Sequence, residues 1–262
     1  MRFAGSVAEV FDRCLTPVFD PFAKKISQDM PECRTVLDVA CRTGICTRRL
    51  LSVSHSGTTL VGVDRHKSMI SLAARKLFSG GPVSWVRAAT EDLPFGDGAF
   101  DVVVSGFGLA LLRDKLAGLQ EINRVLLHGG LLRYTVWASM DQNPWIEAVR
   151  DTAAILFPDL EPNWFNAPFQ FCDIQANLDL MDQAGFPEAR LTPLRMTLKE
   201  PNPLSLARGF VQGNSGIRML LQSRRLPPAG LEQAIAEELA SRFGNPVRTT
   251  MRAFLFEAGA LE

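Results

Sequence analysis

Neither sign of charge prevails in this 262-residue chain: 28 basic residues meet 28 acidic ones, and the formal net charge is zero. A neutral chain offers no basic footprint for nucleic acid or anionic lipid, so a small molecule becomes the default partner. No apolar run approaches the roughly 20 residues that a membrane span requires. The N-terminal MRFAGSVAEVFDRC brings in acids early and lacks a long apolar core followed by a small-residue cleavage site, so it does not read as a secretory signal. Cysteine is scarce. The five present (Cys14, Cys33, Cys41, Cys46 and Cys172) are odd in number, show no C-x-x-C spacing and have no histidine cluster beside them. That pattern supports neither a disulfide scaffold nor a metal site, and a reducing cytoplasm is the expected home. What is plentiful is apolar surface: 47% of residues are hydrophobic against 21% charged, the balance of a globular protein. At roughly 150 residues per domain, one large domain spanning 1–262 is expected.

The first half alternates short apolar runs with helical patterns. Strands are predicted at Thr35–Val39, Thr59–Val63, Val83–Val86, Phe100–Ser105 and Leu131–Trp137. Helices are predicted between them at Ile45–Leu51, Ser68–Phe78 and Lys115–Leu127, with Gly129-Gly130 as the stop before the fifth strand. Near-continuous Val/Leu strands separated by helices indicate a parallel sheet covered on both faces. The fold class is therefore α/β, a doubly wound, Rossmann-like and mostly parallel sheet. After Trp137 the rhythm changes. Helices are expected at Asn143–Phe157, Asp173–Ala184 (stopped by Gly185), Leu204–Phe210, Ser215–Arg224 and Pro228–Phe243, with a Pro/Phe/Trp-rich stretch at 157–171. Late strands are expected at Ala189–Leu198 and Thr249–Phe256. The helices of 143–171 and 203–244, with 1–30, read as a cap over a 34–138 core.

Ligands of such sheets bind outside the carboxyl ends of the strands. Here the first strand runs into Asp38-Val39-Ala40-Cys41-Arg42-Thr43-Gly44, a small-residue turn entering a helix, where backbone N–H groups can approach an anionic or zwitterionic ligand. The second strand ends in Asp64, placed to accept from two ribose hydroxyls or, alternatively, to cap the helix that begins near His66. His66 reads as a first-turn helix residue or a base. Cys41 and Cys46 read as small packing or, beside a helix N-terminus, as reactive thiols. His55 and His128 fall at the opposite edge of the sheet.

Four segments, VLDVACRTGICT, VGVDRHKSMISLAARK, ATEDLPFGDGAFDVVVSGFGL and EINRVLLHGGLLRYTVW, resemble the successive motifs of class I S-adenosylmethionine-dependent methyltransferases. The nearest flavour is the group of ubiquinone/menaquinone-type and natural-product enzymes. FDRCLTPVFDPFA at Phe11–Ala23 looks like that group's N-terminal substrate-covering helix. The resemblance implies a seven-stranded sheet and S-adenosyl-L-methionine as cofactor. It implies that Asp38 and the loop through Ala40, Arg42 and Gly44 hold the methionyl end. It further implies Asp64 on the ribose, Arg65 and Met69 flanking the adenine, Thr90 and Glu91 on its other side, and Ser105 and Gly106 in the wall near the methyl group. Four positions depart from the pattern. Arg42 stands for a loop glycine, Ala89 for an acid, Gly106 for a polar residue and His128 for a proline.

Arg42 carries the most consequence. Its side chain points outward, forks onto the methionyl carboxylate, or fills the pocket and excludes the cofactor. The aromatics Phe11, Phe19, Phe107, Trp145, Trp164, Phe165, Phe169 and Phe171 suggest an apolar acceptor, with Phe11, Phe19, Phe107 and Trp145 the expected substrate contacts. No residue stands out as a catalytic base. The leading expectation is methyl transfer to an oxygen or carbon of a small hydrophobic metabolite. Its rivals are a repurposed cyclase, isomerase or lyase with a degraded cofactor site, and a non-catalytic partner subunit.

Overall fold

The structure, a computed structural model, describes residues 3–77, 83–158 and 163–260, with the side chains of Asn163 and Trp164 outside that description. The expected end of the third helix at Phe78 and the expected role of Trp164 thus lie outside the described residues.

The chain opens with α1 (Val7–Ile26), started by a capping box in which Ser6 and Glu9 satisfy each other's backbone N–H. Then follow β1 (Thr35–Val39), α2 (Ile45–Val53), β2 (Thr59–Val63), α3 (Lys67–Lys76), β3 (Val83–Val86), β4 (Phe100–Gly106), α4 (Lys115–Val125) and β5 (Leu126–Trp137). The second half adds α5 (Pro144–Leu156), α6 (Asn163–Asn166), α7 (Ile174–Gln183), β6 (Arg190–Glu200), α8 (Pro203–Gln212), α9 (Ser215–Ser223), α10 (Pro228–Phe243) and β7 (Val247–Gly259).

The seven strands form one sheet in the order β3-β2-β1-β4-β5-β7-β6. β1 to β5 run parallel, and β7 is antiparallel to both β5 and β6. The doubly wound, mostly parallel sheet expected from the sequence is what forms. Its order reverses at β1, between β2 and β4, which opens the crevice where such sheets bind ligands.

Alternation along the central strands feeds two layers. Leu37, Val39 and Val103 pack with Leu119 and Ile122 of α4 and Met181 of α7. Val36, Val102 and Val104 face the other way, onto Leu50 of α2 and Ile26 at the end of α1. A third core gathers α1, α5, α8, α9 and α10 around Trp145, Leu206, Ile217 and Leu239.

Two expectations need correction. α4 ends at Val125, and Leu126 is already extended at ψ 142°, so Gly129-Gly130 does not stop the helix. The glycine pair lies inside β5, where the ladder shifts between the Phe100–Leu126 and Val102–Leu131 pairings. Gly129 takes φ +72° there and its N–H donates to the Ala260 carbonyl, a bend that a side chain at that φ would strain. The last two strands are also longer than expected, because β6 and β7 pair continuously from Arg190–Glu257 to Glu200–Val247. Pro193 is tolerated there because β6 is the edge of the sheet.

Candidate functional site

The carboxyl ends of β1, β2 and β4 bring together three short loops. The first turns sharply, with Ala40 at φ +51°, Arg42 at φ +52° and Gly44 at φ +75°. Two non-glycine residues in the left-handed region are uncommon and carry strain. The turn is secured from within: the Cys41 N–H donates to Val63 O at 2.9 Å and the Gly44 N–H to Cys41 O at 2.9 Å. The Arg42 N–H donates to Asp64 Oδ2 at 3.0 Å.

The half-buried Arg42 side chain lies toward α1. Its guanidinium lies 5.2 Å from the ring centre of Phe11 and 5.1 Å from that of Phe19, both on α1. Among the described residues it makes no hydrogen bond or ion pair. Burial lowers its pKa while Asp64 opposes that shift, and a guanidinium stays charged regardless.

Asp38, at the end of β1, is 1% exposed. One oxygen accepts from Thr47 Oγ1, and the other is buried without a partner. Burial raises its pKa to about 7, the Thr47 hydrogen bonds opposing and Asp64 adding to the rise. Asp64 behaves differently. Burial pushes it up, but hydrogen bonds from His66 and the Arg42 N–H outweigh that and hold it below the ordinary carboxylate value. Its Oδ1 accepts from the His66 N–H at 2.8 Å and faces His66 Nδ1 at 3.1 Å.

A small cavity of about 20 Å³ sits at this junction, lined by Phe11, Phe19, Ala23, Asp38, Ala40, Cys41, Arg42, Ile45, Cys46, Gly106 and Phe107. Seven of the expected site residues therefore meet at one place: Asp38, Ala40, Arg42, Gly106, Phe11, Phe19 and Phe107. The others lie around it. Gly44 caps α2 beneath the Trp85 ring, where a Cβ would come within 2.8 Å of Trp85 Cη2. Ser105 is buried and donates to Val39 O. Thr90 is buried near Gly118 of α4, and Glu91 accepts from the Arg113 N–H. Arg65 is exposed, while Met69 packs toward the α1 core. Trp145 is buried deeper, its indole N–H donating to Asn143 Oδ1.

The thiols are packing. Burial, with Asp38 next for each, pushes the pKa of Cys41 and Cys46 well above the ordinary thiol value, so neither is a ready thiolate. Cys46 also explains Gly106. A Cβ at that position would lie 2.5 Å from Cys46 Sγ, so a polar wall residue there requires the Cys46 thiol to turn away. His55 and His128 are exposed at the far edge, and His66 points its ring out, with a side chain 63% exposed. Among the described residues, no group of three or more His, Cys, Asp or Glu is placed to hold a metal, and no helix is long and apolar enough to cross a membrane.

Sequence reasoning missed the ring that organises the cover. Trp137, at the end of β5, stacks on Phe107 at 4.2 Å and meets Phe22 at 5.2 Å and Phe169 at 5.6 Å. Its position at a strand's carboxyl end, beside the ligand edge, was the available signal.

The topology and the loops at its switch point define a Rossmann-like α/β protein of the methyltransferase type. The model of the ubiE/COQ5 methyltransferase family matches residues 18–158, more than half of the chain, and the chain belongs to that family. It is 36% identical over 102 residues to the demethylmenaquinone methyltransferase of Bacillus licheniformis, a match that covers 39% of this chain and 44% of that relative. The chain thus spans less than half the length of the curated relatives it matches. Among solved structures it is similar to the YcgJ protein of Bacillus subtilis, with TM-score 0.60, 17% identity, and 94% and 99% of the two chains covered. It is also similar to the cyclase SpnF, with TM-score 0.56, 18% identity, and 93% and 81% covered. At such identities the likeness is one of fold alone.

Proposed function

We propose that this chain catalyses S-adenosylmethionine-dependent methyl transfer to an oxygen or carbon of a small hydrophobic metabolite. The observation that carries the reading is the meeting, at the switch point of the sheet, of the partnerless Asp38 oxygen and the Arg42 guanidinium with an aromatic wall. Family membership supports it, and the family's relatives include a demethylmenaquinone methyltransferase.

The polar groups suit the cofactor. Asp38 and the Ala40–Gly44 turn would hold the methionyl end. Asp64, whose oxygens have lone pairs beyond those given to Arg42 and His66, would take the ribose. Arg65 and Met69 would flank the adenine, with Thr90 and Glu91 opposite. When bound, the cofactor supplies a methyl group already activated on a sulfonium sulfur. The protein's part is alignment and exclusion of water. Phe11, Phe19 and Phe107 present an apolar wall to the acceptor, and Trp145 backs it through Trp137. No base is assigned, since the ionisable groups lining the cavity are Asp38, Arg42 and two protonated thiols. In this reading 1–30, 143–171 and 203–244 form a cap on a 34–138 cofactor core, in a cytoplasmic enzyme.

A cavity of about 20 Å³ holds little more than one water. Binding therefore requires the Arg42 side chain and the α1 rings to shift. A second reading, in which the fold serves a cofactor-independent cyclase, isomerase or lyase, is favoured by Arg42 standing in the loop where the family pattern has a glycine. Calorimetric titration with S-adenosylmethionine and S-adenosylhomocysteine, followed by product detection with hydroquinone and phenol acceptors, separates the two. Micromolar binding and a methylated product are expected. Absence of binding to both nucleosides sinks the methyltransferase reading.

A further inference from the structure

The neutral charge of the whole chain conceals an imbalance along it. Between residues 189 and 256, ten basic residues stand against four acidic ones. Two of the ten are answered locally, Arg208 by Glu232 and Arg242 by Glu238. The strand register gathers four of the others onto one surface. β6 and β7 are antiparallel, with Arg195 directly opposite Arg252, Thr197 opposite Thr250 and Lys199 opposite Arg248. Side chains alternate across a strand, so these six share one face. The cations mark the corners of a flat patch about 5 Å across and about 14 Å along the ribbon, with two threonines at its centre. All four are exposed, and among the described residues none joins an ion pair or a side-chain hydrogen bond. Like charges set directly opposite each other weaken a sheet, so folding alone gives no reason for two such couples.

The position of the patch is an independent observation. β5 ends at Trp137, which pairs with Ala253 of β7. From Arg252 back to Val247, β7 pairs with β6 alone. The ribbon therefore projects beyond the carboxyl ends of the parallel strands, the edge at which the candidate site lies. Its other face is apolar, with Leu194, Leu198, Val247 and Met251 buried in the core shared with α1, α8 and α10. One side is fixed to the cap and the cationic side is turned to solvent.

We propose that this face of the β6–β7 ribbon docks the protein on an anionic lipid surface. The phosphates of such a bilayer present an extended layer of negative charge, which a flat rectangle of cations complements. No aromatic stands among the six positions for a nucleic-acid base to stack on. The choice of a bilayer over a soluble polyanion rests on the hydrophobic-acceptor reading above. Such an acceptor partitions into lipid, and the ribbon projects on the side of the sheet that would receive it.

Vesicle sedimentation tests the proposal, with phosphatidylcholine alone and with phosphatidylcholine mixed with phosphatidylglycerol. The native protein should bind the mixed vesicles, leave the neutral ones, and be released as salt is raised. Each cation is expected to contribute about fivefold, so Arg195→Gln combined with Arg252→Gln should weaken binding about 30-fold. Arg242→Gln combined with Lys24→Gln, the same loss of charge from exposed positions on α10 and α1, should leave binding unchanged. Docking also predicts that the ribbon double variant keeps or raises its melting temperature, because a cross-strand repulsion is gone.

Equal binding by the native protein and the ribbon variant overturns the proposal, as does a native protein with no preference for the anionic vesicles. So does tighter binding to duplex RNA or polyglutamate than to those vesicles at the same salt, which would assign the ribbon a soluble partner. Calorimetry with S-adenosylhomocysteine on the same samples keeps the two readings apart. Vesicle binding without nucleoside binding removes the methyl-donor reading and leaves the docking face standing, and nucleoside binding without vesicle binding does the reverse.

Discussion

The molecule has two halves that meet at one cavity, and they are built on different physics. On one side the loops after β1 and β2 are small-residue turns held by backbone hydrogen bonds, with Asp38 and Asp64 each under 5% exposed. On the other side a continuous run of rings, from Phe11 and Phe19 through Phe107 and Trp137 to Trp145 and Phe210, joins α1, β4, β5, α5 and α8. The polar half presents directional groups whose number and charge are set, as recognition of a defined cofactor demands. The aromatic half presents area, which discriminates by shape and tolerates variation in the ligand. Arg42 crosses between them at the cavity. Its backbone belongs to the first half and its guanidinium lies against the second.

The sharpest way to break this contrast is to remove the ring at the centre of the aromatic half. Trp137 is 3% exposed and contacts five other rings, those of Phe19, Phe22, Phe107, Trp145 and Phe169. Trp137→Ala should cost about 3–5 kcal/mol in urea unfolding, the range for truncating a large buried aromatic. A loss below about 1 kcal/mol would mean that the rings form a loose lid rather than a core, and the cap would have to be redrawn as mobile.

The two halves were also unequally legible. β1, β2 and β3 were read to the residue, because parallel central strands are short apolar runs between turns and leave little ambiguity. β6 and β7 were read short, since their outer residues are amphipathic and their length is set by pairing with each other rather than by hydrophobicity. Within the site, the positions of Asp38, Ala40 and Arg42 at the ligand edge were visible in the VLDVACRTG stretch. The direction of the Arg42 side chain was not, because it depends on the left-handed turn and on rings brought from α1. Gly106 shows the same limit. As sequence it is a missing polar residue, and only the structure shows the Cys46 thiol of α2 occupying the space a side chain there would take.

The next test falls on the polar half and turns on pH. Burial raises the Asp38 pKa to about 7, so the folded state holds this proton more tightly than the unfolded chain does. Stability from that proton is complete below the ordinary carboxylate value near 4 and is lost as pH rises through about 7. Asp38→Asn removes the dependence. Relative to the native protein, the unliganded variant should gain stability between pH 4 and pH 8, by up to about 4 kcal/mol. Denaturant unfolding at pH 4, 6 and 8 reads the difference directly, and background titrations common to both proteins cancel. A difference that stays flat across this range would show that Asp38 has a partner after all, and the electrostatic tension assigned to the polar half would be gone.

The smallest effect belongs to the seam. α1 carries its rings on one face and acids on another, and Asp20 reaches Arg49 of α2 through two hydrogen bonds, while Asp12 meets Lys76 of α3 and Arg48 of α2. These pairs tie the aromatic half to the polar half from outside, with both Asp20 and Arg49 about one-third exposed. At that exposure water and salt screen the attraction, so Asp20→Ala should cost only about 0.2–1 kcal/mol, and less as salt is raised. The informative quantity is its coupling to Trp137→Ala. If α1 is held chiefly by its buried rings, the two losses add within about 0.5 kcal/mol. If the ion pairs instead set where α1 lies, the second substitution costs far less once the first is made. Such strong non-additivity would move control of the cavity from the rings to the surface charges of α1.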